Sequence, residues 1–143
     1  SKIYWENKML GEKVGTFTGT VMNKALASKG HGLPSIETRA TCQGKLAGID
    51  VTSEATYYAD MKSDGSWLGE CPNSGIIFCS DGVATFRANG IGRMTDDGGV
   101  SFRGLVSFEV SSPSLSTLSG KAHMFTWEVD ADGKATWEIW VCA

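Results

Sequence analysis

Four Asp-Gly pairs, at Asp64-Gly65, Asp81-Gly82, Asp97-Gly98 and Asp132-Gly133, punctuate a chain that otherwise alternates with period two. Asp-Gly supplies the positive φ angles of a tight hairpin turn, and alternation marks a strand with one buried face. A fifth turn is expected at Gln43-Gly44. Between these points the pattern predicts strands over about 12–22, 34–42, 45–60, 66–79, 83–94, 100–110, 120–130 and 135–142. Asn23 to Gly32 is expected as a loop or short helix, and Ser111 to Ser119 as a longer connection holding one helical turn. A meander of eight strands closes most simply into a barrel, which also removes the exposed edges of an open sheet. The expected fold is therefore all-β: a single eight-stranded antiparallel up-and-down barrel over residues 1–143.

At 143 residues the chain reads as one domain. It is long enough to bury about 68–70% of its unfolded surface, so it needs neither disulfide nor metal to fold. The net charge of −3 argues against nucleic acid or an anionic membrane as partner. No run approaches the ~20 apolar residues of a membrane-spanning helix. The opening SKIYWENKML has no apolar core of a signal peptide, which makes a cytoplasmic location the default. Cys42, Cys71, Cys79 and Cys142 form no CxxC pair, and His31 and His123 are too scattered to complete a zinc set. Free structural thiols and no metal are expected.

Parity sorts the faces of the strands. Between Val100 and Val110 the even positions include Phe102, Gly104, Val106 and Phe108, and the odd ones include Ser101, Arg103, Ser107 and Glu109. Even positions are thus the candidate apolar face. Arg103 lines a pocket only if the polar-looking face is the inner one, or if a bulge turns it in. The last strand is less clean. Trp137 and Trp140 fall on opposite faces, so one of them covers the outside or an interface. Gly90, Gly92 and Gly104 mark bends or bulges, or else reduce side-chain volume around a cavity. Together with Phe86, Phe102 and Phe108 they suit an apolar pocket with a few placed polar groups.

Three stretches carry a family likeness: GKLAGIDVTSEATYYADMKSDGSWLGE (44–70), NGIGRMTDDGGVSFRG (89–104) and FTWEVDADGKATWEIW (125–140). In these the chain resembles an uncharacterised family of small, mainly bacterial barrel proteins related in shape to allene oxide cyclase. The resemblance implies a calycin-like barrel with an apolar interior, of the kind that holds a flexible polyene, polyketide or epoxide. The chain departs from that pattern after Glu70, reading GECPNSG where the family runs on as GEGQG. Proline removes a ladder hydrogen bond, so the strand from Ser66 to Cys79 is expected to bend at Pro72.

No nucleophile elbow, Cys–His pairing or phosphate loop is present, and GIGRMTDDGG lacks the spacing of a dinucleotide fingerprint. Among the ionisable residues inside strands, Glu70, Arg103 and Glu128 stand out beside aromatic or glycine neighbours. A carboxylate in an apolar barrel would have a raised pKa and serve as general acid. Arginine would anchor a carboxylate or enolate. Tyr57 and Tyr58 are adjacent, so one points in. The candidate catalytic residues are Glu70, Arg103 and Tyr58. Tyr57, Trp67, Phe86, Phe102, Phe108, Met124, Glu128 and Trp137 are the candidate substrate contacts. Equally, Arg103 and a glutamate form a purely structural ion pair.

Two functions follow. One is a cofactor-independent cyclase or isomerase for a small apolar substrate, acting mainly by holding a flexible chain in a reactive shape. The other is a carrier with the same pocket and no chemistry. A filled barrel that self-assembles through outer aromatics such as Trp140 or Trp127 is the third alternative. No cofactor is expected, and the partner is a small hydrophobic molecule.

Overall fold

A computed structural model describes residues 9–30 and 32–143. The first eight residues of SKIYWENKML lie outside the described residues, as does His31, and with them the reading of that opening segment. The strands are β1 (Leu10–Leu26), β2 (Ser35–Leu46), β3 (Ile49–Met61), β4 (Trp67–Cys79), β5 (Gly82–Met94), β6 (Val100–Val110), β7 (His123–Val129) and β8 (Lys134–Cys142). Each pairs antiparallel with the next and β8 returns to β1, closing the eight-stranded barrel.

One turn falls elsewhere than expected. The β2–β3 connection is not at Gln43-Gly44 but at Ala47-Gly48, where both residues take positive φ, 53° and 79°. Gly44 stays in β2 opposite Phe17, and a Cβ on it would lie 2.0 Å from the Thr16 carbonyl oxygen. That glycine marks close approach of two strands, not a turn. Likewise β1 pairs with β2 as far as Leu26 opposite Ser35, so the first four residues of the expected Asn23–Gly32 loop, Asn23 to Leu26, are strand.

The bend expected at Pro72 is a bulge. Cys71 faces Ala88 and Gly75 faces Phe86, four steps along β4 against two along β5. An insertion of even length preserves the pleat, so Cys71, Gly75 and Ile77 all remain buried while Pro72, Asn73 and Ser74 are exposed. Ser74 Oγ donates to the Thr56 carbonyl at 2.6 Å and ties the bulge to β3.

Inside, aromatic rings occupy the space that glycines leave. A Cβ on Gly92 or Gly69 would meet the Phe102 ring at 2.6 and 2.9 Å, and one on Gly75 would meet Phe86 at 2.2 Å. Gly92 therefore makes room for Phe102 rather than leaving a void. Gly104 instead allows β5 to approach, since its Cβ would lie 1.9 Å from the Asn89 carbonyl oxygen.

The two ends of the barrel differ. The end bearing the β2–β3 and β4–β5 turns is closed by the expected helical turn, a 3-10 helix at Pro113–Leu118 whose Leu115 and Leu118 are fully buried. Asp81 pins this lid. Its carboxylate accepts hydrogen bonds from the Ser112 hydroxyl, the Ser114 hydroxyl (2.7 Å), the Ser114 backbone N–H (2.9 Å) and the Cys79 thiol (3.1 Å). These bonds, led by Ser112, hold the Asp81 carboxyl well below the usual carboxylate range.

Beside the lid, His123 is 0% exposed, and among the described residues neither ring nitrogen makes a well-aligned hydrogen bond. It stacks edge-on to Phe108 at 5.2 Å between centroids. Burial, followed by the charge of Lys121, lowers its pKa, with the backbone of Val106 and Lys121 pulling the other way. The unfolded imidazole, with pKa about 6.5, then binds a proton more readily than the folded one. This contribution to stability is complete above that pH and is lost as pH falls below it. The urea midpoint is expected to drop between pH 7.5 and pH 5.5 in the natural chain, and to drop less in His123→Leu. Equal drops in the two proteins would show that His123 does not titrate with unfolding.

Candidate ligand-binding site

The end opposite the lid opens into a mouth of about 430 Å³. Below it lies a smaller cavity of about 70 Å³, room for several non-hydrogen atoms. Tyr57 on β3 and Phe102 on β6 border both spaces, with their rings edge-to-face at 6.2 Å. The lower cavity runs between Phe86, Phe125, Trp127 and Trp137, with Cys42 and Cys71 across from them. Trp67 stands at the mouth.

A chain of polar groups crosses the junction. Trp127 Nε1–H donates to the Tyr57 hydroxyl at 3.0 Å. The Tyr57 hydroxyl also bonds Thr38, whose Oγ1 donates to Asn23 Oδ1 at 2.8 Å. Burial raises the Tyr57 pKa against the opposing hydrogen bonds from Trp127 and Thr38, so the phenol keeps its proton. Burial also pushes the Cys42 thiol up to about 11, with Glu54 adding to the effect, and raises Cys71. All four cysteines are free, and these two interior thiols stay protonated, a poor state for nucleophilic attack.

The sequence-derived candidates divide between the two faces. Tyr57, Trp67, Phe86, Phe102 and Trp137 do line the two spaces. Phe108 also points inward but lies lower, buried against His123 at the lid end. The three catalytic candidates point out. The pleat that buries Gly69 and Cys71 sends Glu70 outward, where it is exposed, although it borders the lower cavity along the β4–β5 seam. Tyr58 alternates with the inward Tyr57 and stands opposite Glu37 and Glu70 on the outer face. Arg103 alternates with buried Phe102 and pairs with Glu128 at 2.8 Å and with Ser101 Oγ at 3.0 Å, all on the outside. Glu128 and Met124, expected as ligand contacts, flank buried Phe125 and Trp127 and face outward. The acid-and-anchor arrangement is therefore not assembled around the cavity, and the Arg103–Glu128 pair is a surface contact.

Trp127, suggested as an outer aromatic, is 8% exposed and points in. Trp140 is the outward one, with Lys13 Nζ 5.4 Å from its ring centroid. Sequence reasoning missed Asn23, Thr38, Cys42, Cys71, Phe125 and Trp127 as lining residues. Parity could have found four of them, because Phe125 and Trp127 alternate with Thr126, and Cys42 and Thr38 share the face of Ala40.

No protein-family model matches the chain, and no curated protein matches it in sequence. Its shape does have solved counterparts. A conserved protein of unknown function from Rhodopseudomonas palustris superposes with a TM-score of 0.75 at 15% identity, over 92% of this chain and 97% of that one. A protein of unknown function from Clostridium acetobutylicum ATCC 824 gives 0.76 at 13% identity, over 92% and 98%. A β-barrel like protein from Acinetobacter baumannii AYE gives 0.75 at 10% identity, over 92% and 94%. At these identities the likeness establishes the barrel fold, which this chain shares with all three.

Proposed function

We propose that the barrel is a binding protein for a small, largely apolar molecule that enters through the mouth and rests against Tyr57 and Phe102. The observation that carries this reading is the aromatic two-chamber interior, closed by a lid at one end and open at the other. A mouth of about 430 Å³ has the size of a small-molecule site. The neutral fluorophore N-phenyl-1-naphthylamine tests it. One saturable site is expected, weakened about tenfold in Val100→Trp, which places a ring at the half-buried rim. Non-saturable binding, or equal binding by the variant, would overturn the reading.

A cofactor-free cyclase or isomerase, as in allene-oxide-cyclase-type barrels, is the second reading. It draws on one feature, the Tyr57 hydroxyl held at the junction of the two chambers by Trp127 and Thr38. A protonated phenol there can hydrogen-bond a developing oxyanion. A bound polyene epoxide recovered unchanged after long incubation supports the carrier; conversion that stops in Tyr57→Phe supports the enzyme.

A further inference from the structure

An indole N–H only donates, so the Tyr57 oxygen accepts from Trp127. Beside it, Thr38 Oγ1 donates to Asn23 Oδ1 at 2.8 Å. An amide whose oxygen is engaged this way presents its NH2 to whatever lies beyond it. Asn23 is exposed and lines the mouth, so its NH2 is a donor available there.

Among the described residues lining the mouth, the charged ones are Asp130 and Asp132, both in the β7–β8 turn. Asp130 Oδ1 is engaged by the backbone N–H groups of Asp132 and Lys134, each at 2.9 Å. These contacts hold the turn. An anionic ligand would meet like charge at the rim, whereas a neutral one would not.

Resting on the binding function proposed above, we infer that the mouth selects an apolar ligand carrying a neutral hydrogen-bond acceptor, such as a ketone, ester or amide carbonyl, and discriminates against carboxylates. Asn23 reads the acceptor, Asp130 and Asp132 exclude the anion, and Tyr57 and Phe102 receive the apolar body. The Thr38 hydroxyl, donating to the amide oxygen, favours the orientation in which Asn23 donates toward the ligand.

Three probes of matched shape separate these elements: 2-acetylnaphthalene, 2-ethylnaphthalene and 2-naphthoate, titrated against the indole Nε1–H signals in 1H–15N spectra. The ketone is expected to bind about tenfold more tightly than the hydrocarbon, the difference one hydrogen bond makes. The carboxylate is expected to bind about tenfold more weakly than the ketone at low salt, and the gap should narrow as salt screens the rim. Asn23→Leu should abolish the ketone's advantage over 2-ethylnaphthalene, and Asp132→Asn should narrow the gap between 2-naphthoate and the ketone. If the hydrocarbon binds as well as the ketone, or Asn23→Leu keeps their ratio, the selectivity inference falls while the binding function stands. If no probe and no N-phenyl-1-naphthylamine binds, the binding function itself falls.

Discussion

Gly44→Ala is expected to destabilise the barrel by about 3 kcal/mol, and to lower its melting temperature by roughly 10 °C. The cause is backbone against side chain. A Cβ at residue 44 would sit 2.0 Å from the Thr16 carbonyl oxygen and 2.8 Å from the Phe17 Cα, so β1 and β2 would have to separate. Neither contact atom is the end of a flexible group that can swing aside. Phe17, directly across from it, is fully buried and packs on Trp137 at 4.8 Å, which transmits any displacement into the core. Gly48→Ala supplies the internal control. Nothing lies within 4 Å of a Cβ there, and its φ of 79° makes the cost purely conformational, about 1 kcal/mol. Differential scanning calorimetry of both variants decides the matter. A larger loss for Gly48→Ala would return the turn to Gln43-Gly44 and refute the strand contact.

That contrast shows what the residues announced about the fold and what they concealed. Asp-Gly pairs revealed their hairpins because a positive φ is a local demand, legible without knowing the neighbour. Gly44 misled because glycine answers two demands alike, and the second, contact with β1, comes from a strand almost thirty positions away in the chain. Parity worked on β6, where Phe102, Val106 and Phe108 oppose Ser101, Arg103 and Ser107. It blurred elsewhere because the outer face keeps large apolar residues of its own: Ile91 is 49% exposed, Leu105 51% and Met124 40%. Glu70 and Arg103 drew attention through aromatic and glycine neighbours in sequence, yet in a strand the adjacent residue faces the opposite side. Asn23 and Thr38 drew none, since small polar residues on β1 and β2 read as surface. Only closure of the sheet brings them within a chain of hydrogen bonds to Trp127 on β7.

Phe102→Ala is the change that couples stability to binding most directly. Phe102 is 5% exposed, its ring fills the space above Gly69 and Gly92, and it borders both the lower cavity and the mouth. Truncation removes a buried aromatic whose glycine neighbours have no side chains to move into the gap, so a cost of about 3–5 kcal/mol is expected. The same truncation removes one of the two residues dividing the spaces and joins about 70 Å³ to about 430 Å³. The lower part of the enlarged void is walled by Phe86, Phe125, Trp127 and Trp137. Apolar cavities of this kind stay dry and take up small apolar molecules. Saturating benzene is therefore expected to raise the melting temperature of Phe102→Ala more than that of the natural chain, restoring part of the loss by mass action. Loss of stability without such rescue would mean that the barrel collapses around the missing ring. An unchanged melting temperature would mean that Phe102 does not separate the two chambers.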